Sequence, residues 1–330
     1  MNLLNPRQLR QEAARSLEES SVDYKKLISI HAGITLLAGL LLSALDYALE
    51  QMIGSTGGLS GVGLRSMLAA AQSVLQLAQT VALPFWQIGW VAAILSIARG
   101  ESADGRSLLT GFTRFRPVLR LMLLQGIIYL VLSMGAGYAA TTVFMFTPWA
   151  VPLMEVYMEG FAGDWTPEEL LTATEAALEE VAMPLVLMQL AVMVIVFVPV
   201  LYRIRLAQYC LLDDESLKAW PAIRRSFLLT KKQTWALVKL DLSYWWFYGL
   251  EVLVAVVAYL GLLLPRLGVT LPGPEWIGFF GFYLLYVVGR WALYRWRKAE
   301  VDAVYVKAYE ALNGAHPAPK LQLKKSPWEE

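Results

Sequence analysis

Long apolar runs separated by short polar segments dominate this sequence. A helix needs about twenty apolar residues to cross the roughly 30 Å hydrocarbon core of a bilayer. The runs that reach about this length cover residues 27–49, 67–98, 118–146, 182–202, 235–264 and 276–296. The pattern predicts an all-α, polytopic membrane protein with six transmembrane helices.

Basic residues alternate along these runs. Of the 28 Lys and Arg residues, 26 fall in four alternate segments, and the other two are Arg65 and Arg266. The four segments are 1–26, 99–120, 203–239 and 290–330. No Lys or Arg lies between Arg120 and Arg203. Because cytoplasmic segments of membrane proteins are enriched in Lys and Arg, the sequence predicts a cell-membrane protein with both termini and two basic loops in the cytoplasm.

Residues 1–26 precede the first run and are expected to form a short amphipathic helix. Asn5 is suited to cap this helix, and a proline follows it in the first turn. Leu9, Ala13 and Leu17 recur at helical spacing beside basic residues. We expect the helix to lie on the cytoplasmic surface of the membrane.

Acidic side chains gather in the longest loop, residues 147–181. They are Glu155, Glu159, Asp164, Glu168, Glu169, Glu175, Glu179 and Glu180. Residues 166–169 (Thr-Pro-Glu-Glu) predict a capping box that starts an exposed helix running into the fourth span. The loop is either a vestibule that attracts cations or a solvated acidic helix.

The chain is predicted to have one membrane domain, residues 27–312. Short loops elsewhere leave no detachable soluble module. Residues 313–330 contain several prolines and lysines, and we expect them to form a flexible cytoplasmic tail.

Composition agrees with a membrane protein and argues against several function classes. The chain is 57% hydrophobic and only 17% charged, whereas soluble domains carry about 25% charged residues. Its net charge of +1 gives no reason to propose nucleic acid as a partner. Cys210 is the only cysteine, so no internal disulfide is expected, and no metal or cofactor motif is present. Phosphate-loop, dinucleotide, zinc-protease and serine-hydrolase motifs are absent too, which predicts a protein that is not an enzyme.

Several segments resemble one family of membrane proteins. They are residues 209–214 (Tyr-Cys-Leu-Leu-Asp-Asp), 240–244 (Leu-Asp-Leu-Ser-Tyr), 111–115 (Gly-Phe-Thr-Arg-Phe) and 303–309. In these segments the chain resembles the six-helix bacterial proteins of the domain-of-unknown-function 975 family. More distantly, it resembles the membrane domain attached to some glycerophosphodiesterases. The resemblance implies a six-helix bacterial membrane protein, but no activity, because the family has no assigned function.

This chain departs from the family at two places. It has Thr230-Lys231-Lys232 where a Met and a Gly are usual, and Pro221 where an acidic residue is common. Whatever ligand the loop of the family shares is therefore not carried over to this chain. A helix is still expected from about Pro221 to Thr230, re-entrant or on the membrane surface.

Glu251 is the first candidate for chemistry. It lies ten residues beyond Asp241, and therefore about 15 Å deeper in the fifth span. A charged side chain at such a depth costs roughly 3 kcal/mol unless it is paired or reaches water. Arg290 on the sixth span is the cation nearest in depth. The two residues either form a buried pair or belong to a proton or cation site.

Asp241 is a second candidate, at the edge of the same span. We expect its carboxylate to receive hydrogen bonds from Arg224 or Arg225 in the basic loop. In this interpretation Asp241 anchors the loop against the helix bundle.

Span two carries a polar stripe of Gln72, Gln76, Gln79 and Gln87. At about 100° per residue these side chains share one helix face. The face either lines a hydrated path or hydrogen-bonds neighbouring helices. In span three, Ser133, Gly137 and Thr141 have the small-xxx-small spacing of a close helix contact.

Two functions fit these observations. The first is a non-enzymatic membrane protein that binds a partner protein or lipid, as an accessory component of an envelope or export system. The second is a transporter of a small solute, with a path lined by Glu251, Arg290 and the glutamines of span two.

A lone His31 near the membrane surface is expected to be a packed, hydrogen-bonded side chain and not a metal ligand.

Overall fold

The structure is a computed structural model that describes residues 4–55, 62–163, 165–266 and 275–315. These residues are almost entirely helical, and no strand occurs among them, which confirms the predicted all-α fold. The α-helices are α1 Pro6–Glu18, α2 Tyr24–Ser55, α3 Val62–Ala98, α4 Thr110–Thr113, α5 Phe115–Met145, α6 Val151–Ala162, α7 Pro167–Ile204, α8 Ala207–Asp213, α9 Ala219–Leu229, α10 Thr234–Leu242, α11 Trp245–Arg266, α12 Glu275–Leu293 and α13 Ala299–Ala315. Short 3-10 turns cover Ser107–Leu109 and Pro148–Ala150, and a π-helical segment, Tyr294–Lys298, joins α12 to α13.

Several of these helices are long and apolar enough to cross a membrane. Within the described residues they are Tyr24–Leu49, Ser66–Ala98, Phe115–Met145 and Pro167–Asp213. A fifth is added if α10 and α11 are counted as one span, although they are bent by 63°. The sixth predicted run lies mainly in α12, which is not among the helices that meet these criteria.

The sequence pattern predicted one continuous helix for the fifth run, and the structure shows two. The break falls at Ser243 and Tyr244, between α10 and α11. The Ser243 hydroxyl donates to the Leu240 carbonyl oxygen at 2.6 Å, and such bonds back to the preceding turn often bend helices. Tyr244 is buried at this corner, so the bend is fixed by packing as well.

Helix α1 corrects another prediction. The Asn5 side chain accepts from the Arg7 backbone N–H at 3.1 Å, so the predicted cap is present. Leu9, Ala13 and Leu17 are all buried, and α1 packs on α13. The apolar face of α1 is thus covered by protein and not by the membrane surface.

The chain divides into two compact units. The first comprises the described parts of residues 1–120 and 206–330, and the second comprises residues 121–205. In the first unit α2, α3, α11 and α12 pack with the short helices α1, α8, α9 and α13. The expected loop helix is present there as α9, with one face buried.

A close crossing of α3 with α4 fixes part of the first unit. A Cβ added at Gly111 would lie 1.9 Å from the Phe85 carbonyl oxygen, so only glycine allows this approach. The rings of Phe112 and Phe115 stack on Phe85, with centroids 5.6 and 4.9 Å away. The Gly-Phe-Thr-Arg-Phe segment therefore packs on α3 around the ring of Phe85.

The second unit is built by α5, α6 and α7. Thr166 and Glu169 form the predicted capping box at the start of α7, with a backbone N–H bond in each direction, and this prediction is confirmed. A buried cluster joins the three helices: Phe144, Ala150, Leu153, Ala177 and Val181.

The predicted small-residue contact on α5 is wrong. A Cβ built on Gly137 meets no described atom within 4 Å, and Thr141 is exposed, whereas Ser133 is half-buried. Ala136 and Ala140 are buried instead. The protein-facing side of α5 thus differs from the side that the spacing indicated.

Candidate functional site

An ion pair joins α11 to α12. Arg290 Nη2 lies 2.8 Å from Glu251 Oε1, and the Tyr294 hydroxyl donates to the same oxygen at 2.6 Å. Arg290 also donates to the hydroxyls of Tyr286 and Tyr294. The structure thus brings together the two residues that the sequence singled out, and it adds two phenols.

Helix geometry explains why this cluster forms. Tyr286 and Arg290 lie on α12, and Tyr294 begins the π-helical segment that follows it. They are four residues apart in sequence, so they share the face that meets α11. The guanidinium lies over both rings, 5.6 and 5.2 Å from their centroids. The side chains of Glu251 and Arg290 remain 26% and 31% exposed. The opposite charges of the cluster therefore cancel, and its side chains stay partly accessible to solvent.

A second polar layer follows along the same helix. The π-helical segment ends at Lys298, whose ammonium lies 2.8 Å from Asp302 Oδ1 on α13. Trp90 of α3 donates its indole N–H to the other oxygen of Asp302 at 2.7 Å. Asp302 therefore ties α3 to α13 beside the Glu251–Arg290 pair.

His31 is packed as expected, but its ring is not fully hydrogen-bonded. The imidazole stacks on Trp86 and Trp90, with both centroid distances 5.4 Å, and the residue is 6% exposed. Its Nδ1 atom is buried and has no hydrogen-bond partner among the residues that the structure describes. Among the described residues, no group of three or more His, Cys, Asp and Glu side chains is placed to hold a metal ion.

Asp241 has hydrogen-bond donors that the sequence did not indicate. It accepts from the hydroxyl of Tyr248 at 3.0 Å and from that of Tyr305 on α13. Arg225 donates to Asn313 at 2.8 Å, and Arg224 is exposed. Asp241 thus ties α10 to α11 and α13, whereas Arg225 ties α9 to the end of α13.

The bend between α10 and α11 also receives a contact from α1. Arg10 Nη1 donates to the Ser243 carbonyl oxygen at 3.5 Å. The same guanidinium lies 4.7 Å from the centre of the Tyr244 ring. Helix α1 therefore holds the bend by a cation–π contact and a weak hydrogen bond.

A charged cluster connects α3, α8 and α13. Arg99 lies 2.7 Å from Asp213 and 3.1 Å from Glu310, and Tyr309 donates to Asp213 at 2.8 Å. Burial, reinforced by Cys210 and Asp213, raises the pKa of Tyr309, which keeps the phenol a donor. Asp213 and Tyr309 lie in segments that carry the family resemblance, but the spacing gave no sign that they meet.

The glutamines of α3 do not join the Glu251 cluster, which is built from α11 and α12. Gln76 and Gln87 are exposed, whereas Gln72 and Gln79 are half-buried. The stripe is therefore not buried as a whole against neighbouring helices.

An open groove of about 380 Å³ lies between α1 and α13. It is lined by Glu12, Arg15, Ser16, Glu19, Lys307, Glu310 and Ala311. Lys307 and Glu310 pair with each other at 3.1 Å. The groove is thus polar and carries charges of both signs.

Comparison of this chain with models of protein families, with curated proteins and with solved structures gives no match. The resemblance of the four segments to the domain-of-unknown-function 975 family therefore stays a prediction.

Proposed function

We propose that this chain is a non-enzymatic bacterial membrane protein that binds a partner protein, as an accessory component of an envelope or export system. In this proposal six helices cross the cell membrane, and both termini lie in the cytoplasm. The groove between α1 and α13 then faces the cytoplasm and accepts a polar segment of the partner.

The observation that carries this proposal is a water-exposed groove that holds charges of both signs. Glu251 pairs with Arg290, and Lys298 with Asp302, so the charges among the apolar helices are used within the chain. The groove, in contrast, is open to water. A polar partner segment would replace this water with hydrogen bonds to groove side chains of both charges, and such charge complementarity favours specificity.

Site-directed photocrosslinking in living cells tests the proposal. A benzophenone amino acid at Ser16 lies in the groove, and one at Gln11 lies on α1 outside it. We expect a discrete crosslinked partner from position 16 only, lost when Glu12→Lys and Glu19→Lys reverse the groove charge. Equal crosslinking from both positions, or insensitivity to the charge reversal, would contradict the proposal.

A transporter of a small solute is the second candidate. It is favoured by the partial exposure of Glu251 and Arg290, and by the 63° bend in the neighbouring helix pair. Transporters place binding sites at such broken helices. In this function the glutamines of α3 would line the path.

Water access to α3 discriminates between the two functions. Cysteines at Gln76 and Gln87 would react with a water-soluble maleimide if the face is hydrated, whereas cysteines at Val74 and Leu77 serve as lipid-facing controls. Native Cys210 is buried and gives little background. Reaction at the glutamine positions alone would favour transport.

A further inference from the structure

Helix α6 exposes a block of large apolar side chains, together with the turn before it. The block comprises Phe146, Trp149, Val151, Met154, Tyr157 and Met158. Met158 is 72% exposed, although α6 itself carries Glu155 and Glu159. Contiguous apolar surface of this kind marks an interaction site.

The helix has three separate facets. Leu153 packs against α7 within the buried cluster of this unit. Glu155 and Glu159 lie beside each other on a second, narrow strip, because they are four residues apart. Met154 and Met158 are also four residues apart, and both belong to the apolar facet on the remaining side. Each Glu directly follows a Met, so at about 100° per residue the acidic strip lies about 100° around the helix from the two Met side chains and borders the apolar facet.

Helix lengths give the depth of α6. At roughly 1.5 Å per residue, Phe144 lies about 36 Å along α5 from Arg120. By the same rule Ala177 lies about 39 Å along α7 from Arg203. Phe144 and Ala177 both contact α6 in one buried cluster. This inference rests on the proposed function, in which α5 and α7 cross the membrane. With Arg120 and Arg203 at the near edge of a hydrocarbon core about 30 Å thick, both helices then place α6 just beyond the far edge.

We propose that α6 lies in the membrane–water interface on the side opposite the basic loops, with its apolar facet in contact with lipid. Trp149 and Tyr157 then occupy the headgroup level, where amphipathic aromatic side chains are enriched. The acidic strip faces water. On α5, Met134 and Tyr138 are exposed as well, and a bilayer would cover them.

Lipid fits this facet better than a protein partner does. A protein interface has no reason to lie at one fixed depth, whereas both helix lengths give the same depth. Interfacial helices of other proteins have this separation of an apolar and a charged face.

The test is spin-label accessibility in phosphatidylcholine vesicles. Single cysteines at Met154 and Met158 carry the label on the apolar facet, and those at Glu155 and Glu159 are matched controls on the acidic strip. Oxygen concentrates in lipid and a neutral nickel chelate stays in water, so we expect the oxygen-to-nickel ratio to be several-fold higher at the two Met positions.

Two results would overturn the proposal. Equal nickel accessibility at all four positions would mean that the facet faces water. Labels at Met154 and Met158 shielded from both reagents would mean that protein covers the facet. A label at Leu130, in the middle of α5, tests the membrane crossing itself: high oxygen access there, with either result above, would reject the α6 proposal and leave the crossing intact.

Discussion

Glu251 and Arg290 lie in apolar helices, and their pairing decides what each contributes to stability. A charge left unpaired in such surroundings costs several kcal/mol, whereas the pair itself contributes much less. The phenols of Tyr286 and Tyr294 use further donors and acceptors of the pair. Removing one partner should therefore be worse than removing both.

We predict that Glu251→Gln and Arg290→Gln each lower the free energy of unfolding by about 1–3 kcal/mol, less than for a fully buried pair because both side chains keep some exposure. The double variant should lose less than the sum of the two. Thermal unfolding of the purified protein in detergent measures this.

Glu179→Gln on α7 is the matched control, because Glu179 is exposed and its change should be nearly neutral. Additive losses at Glu251 and Arg290 would show that the two side chains do not stabilise each other.

At this scale the sequence predicted which residues matter better than it predicted their partners. Depth along the apolar runs identified Glu251 and Arg290, and the structure places them in contact. It also identified Asp241, which accepts from the phenols of Tyr248 and Tyr305. Phenols on apolar helix faces look like ordinary packing residues in a sequence, so their use as donors was not predictable.

At the level of elements, glycines set how closely helices approach. A Cβ on Gly89 of α3 would lie 1.8 Å from the Leu108 carbonyl oxygen, and one on Gly111 would lie 1.9 Å from that of Phe85. Backbone atoms cannot move aside as side-chain ends can. The two glycines therefore lock α3 against α4 and the turn before it.

We predict that Gly89→Ala and Gly111→Ala each destabilise the protein by about 1–3 kcal/mol, the usual cost of overpacking. Gly126→Ala on α5 is the control, because a Cβ there meets no described atom within 4 Å. Its effect should stay within about 1 kcal/mol of the parent. Thermal unfolding distinguishes the variants, and a neutral Gly111→Ala would refute the close crossing.

The sequence predicted helices better than their surroundings. Local signals such as Asn5 and Thr166 gave two helix starts correctly, because caps depend on neighbours in the chain. The apolar stripe of α1 predicted the helix but not what its apolar face contacts, because packing on a membrane surface and packing on α13 require the same pattern. The bend at Ser243 was missed, because hydropathy does not register one back-bonded serine.

At the scale of the whole molecule, the number of crossings is the open difference between sequence and structure. Charge alternation predicts six, whereas hydropathy and helix length support four helices, or five with the bent pair. The α11–α12 pair explains the difference. A hairpin that crosses twice and one that re-enters on the same side both leave the C-terminus on the same side of the membrane, so charge counts at the ends do not separate them.

We predict six crossings, and the connection between α11 and α12 tests this. Gly268→Cys, and Thr172→Cys on the acidic helix, should react with a membrane-impermeant maleimide in intact cells. Gly105→Cys and Glu215→Cys, in the two basic loops, should react only after permeabilisation. The parent chain is the blank, because Cys210 is buried. Protection of position 268 alongside labelling of position 172 would make α11 and α12 a re-entrant hairpin. The Glu251–Arg290 pair would then hold the two arms of that hairpin together.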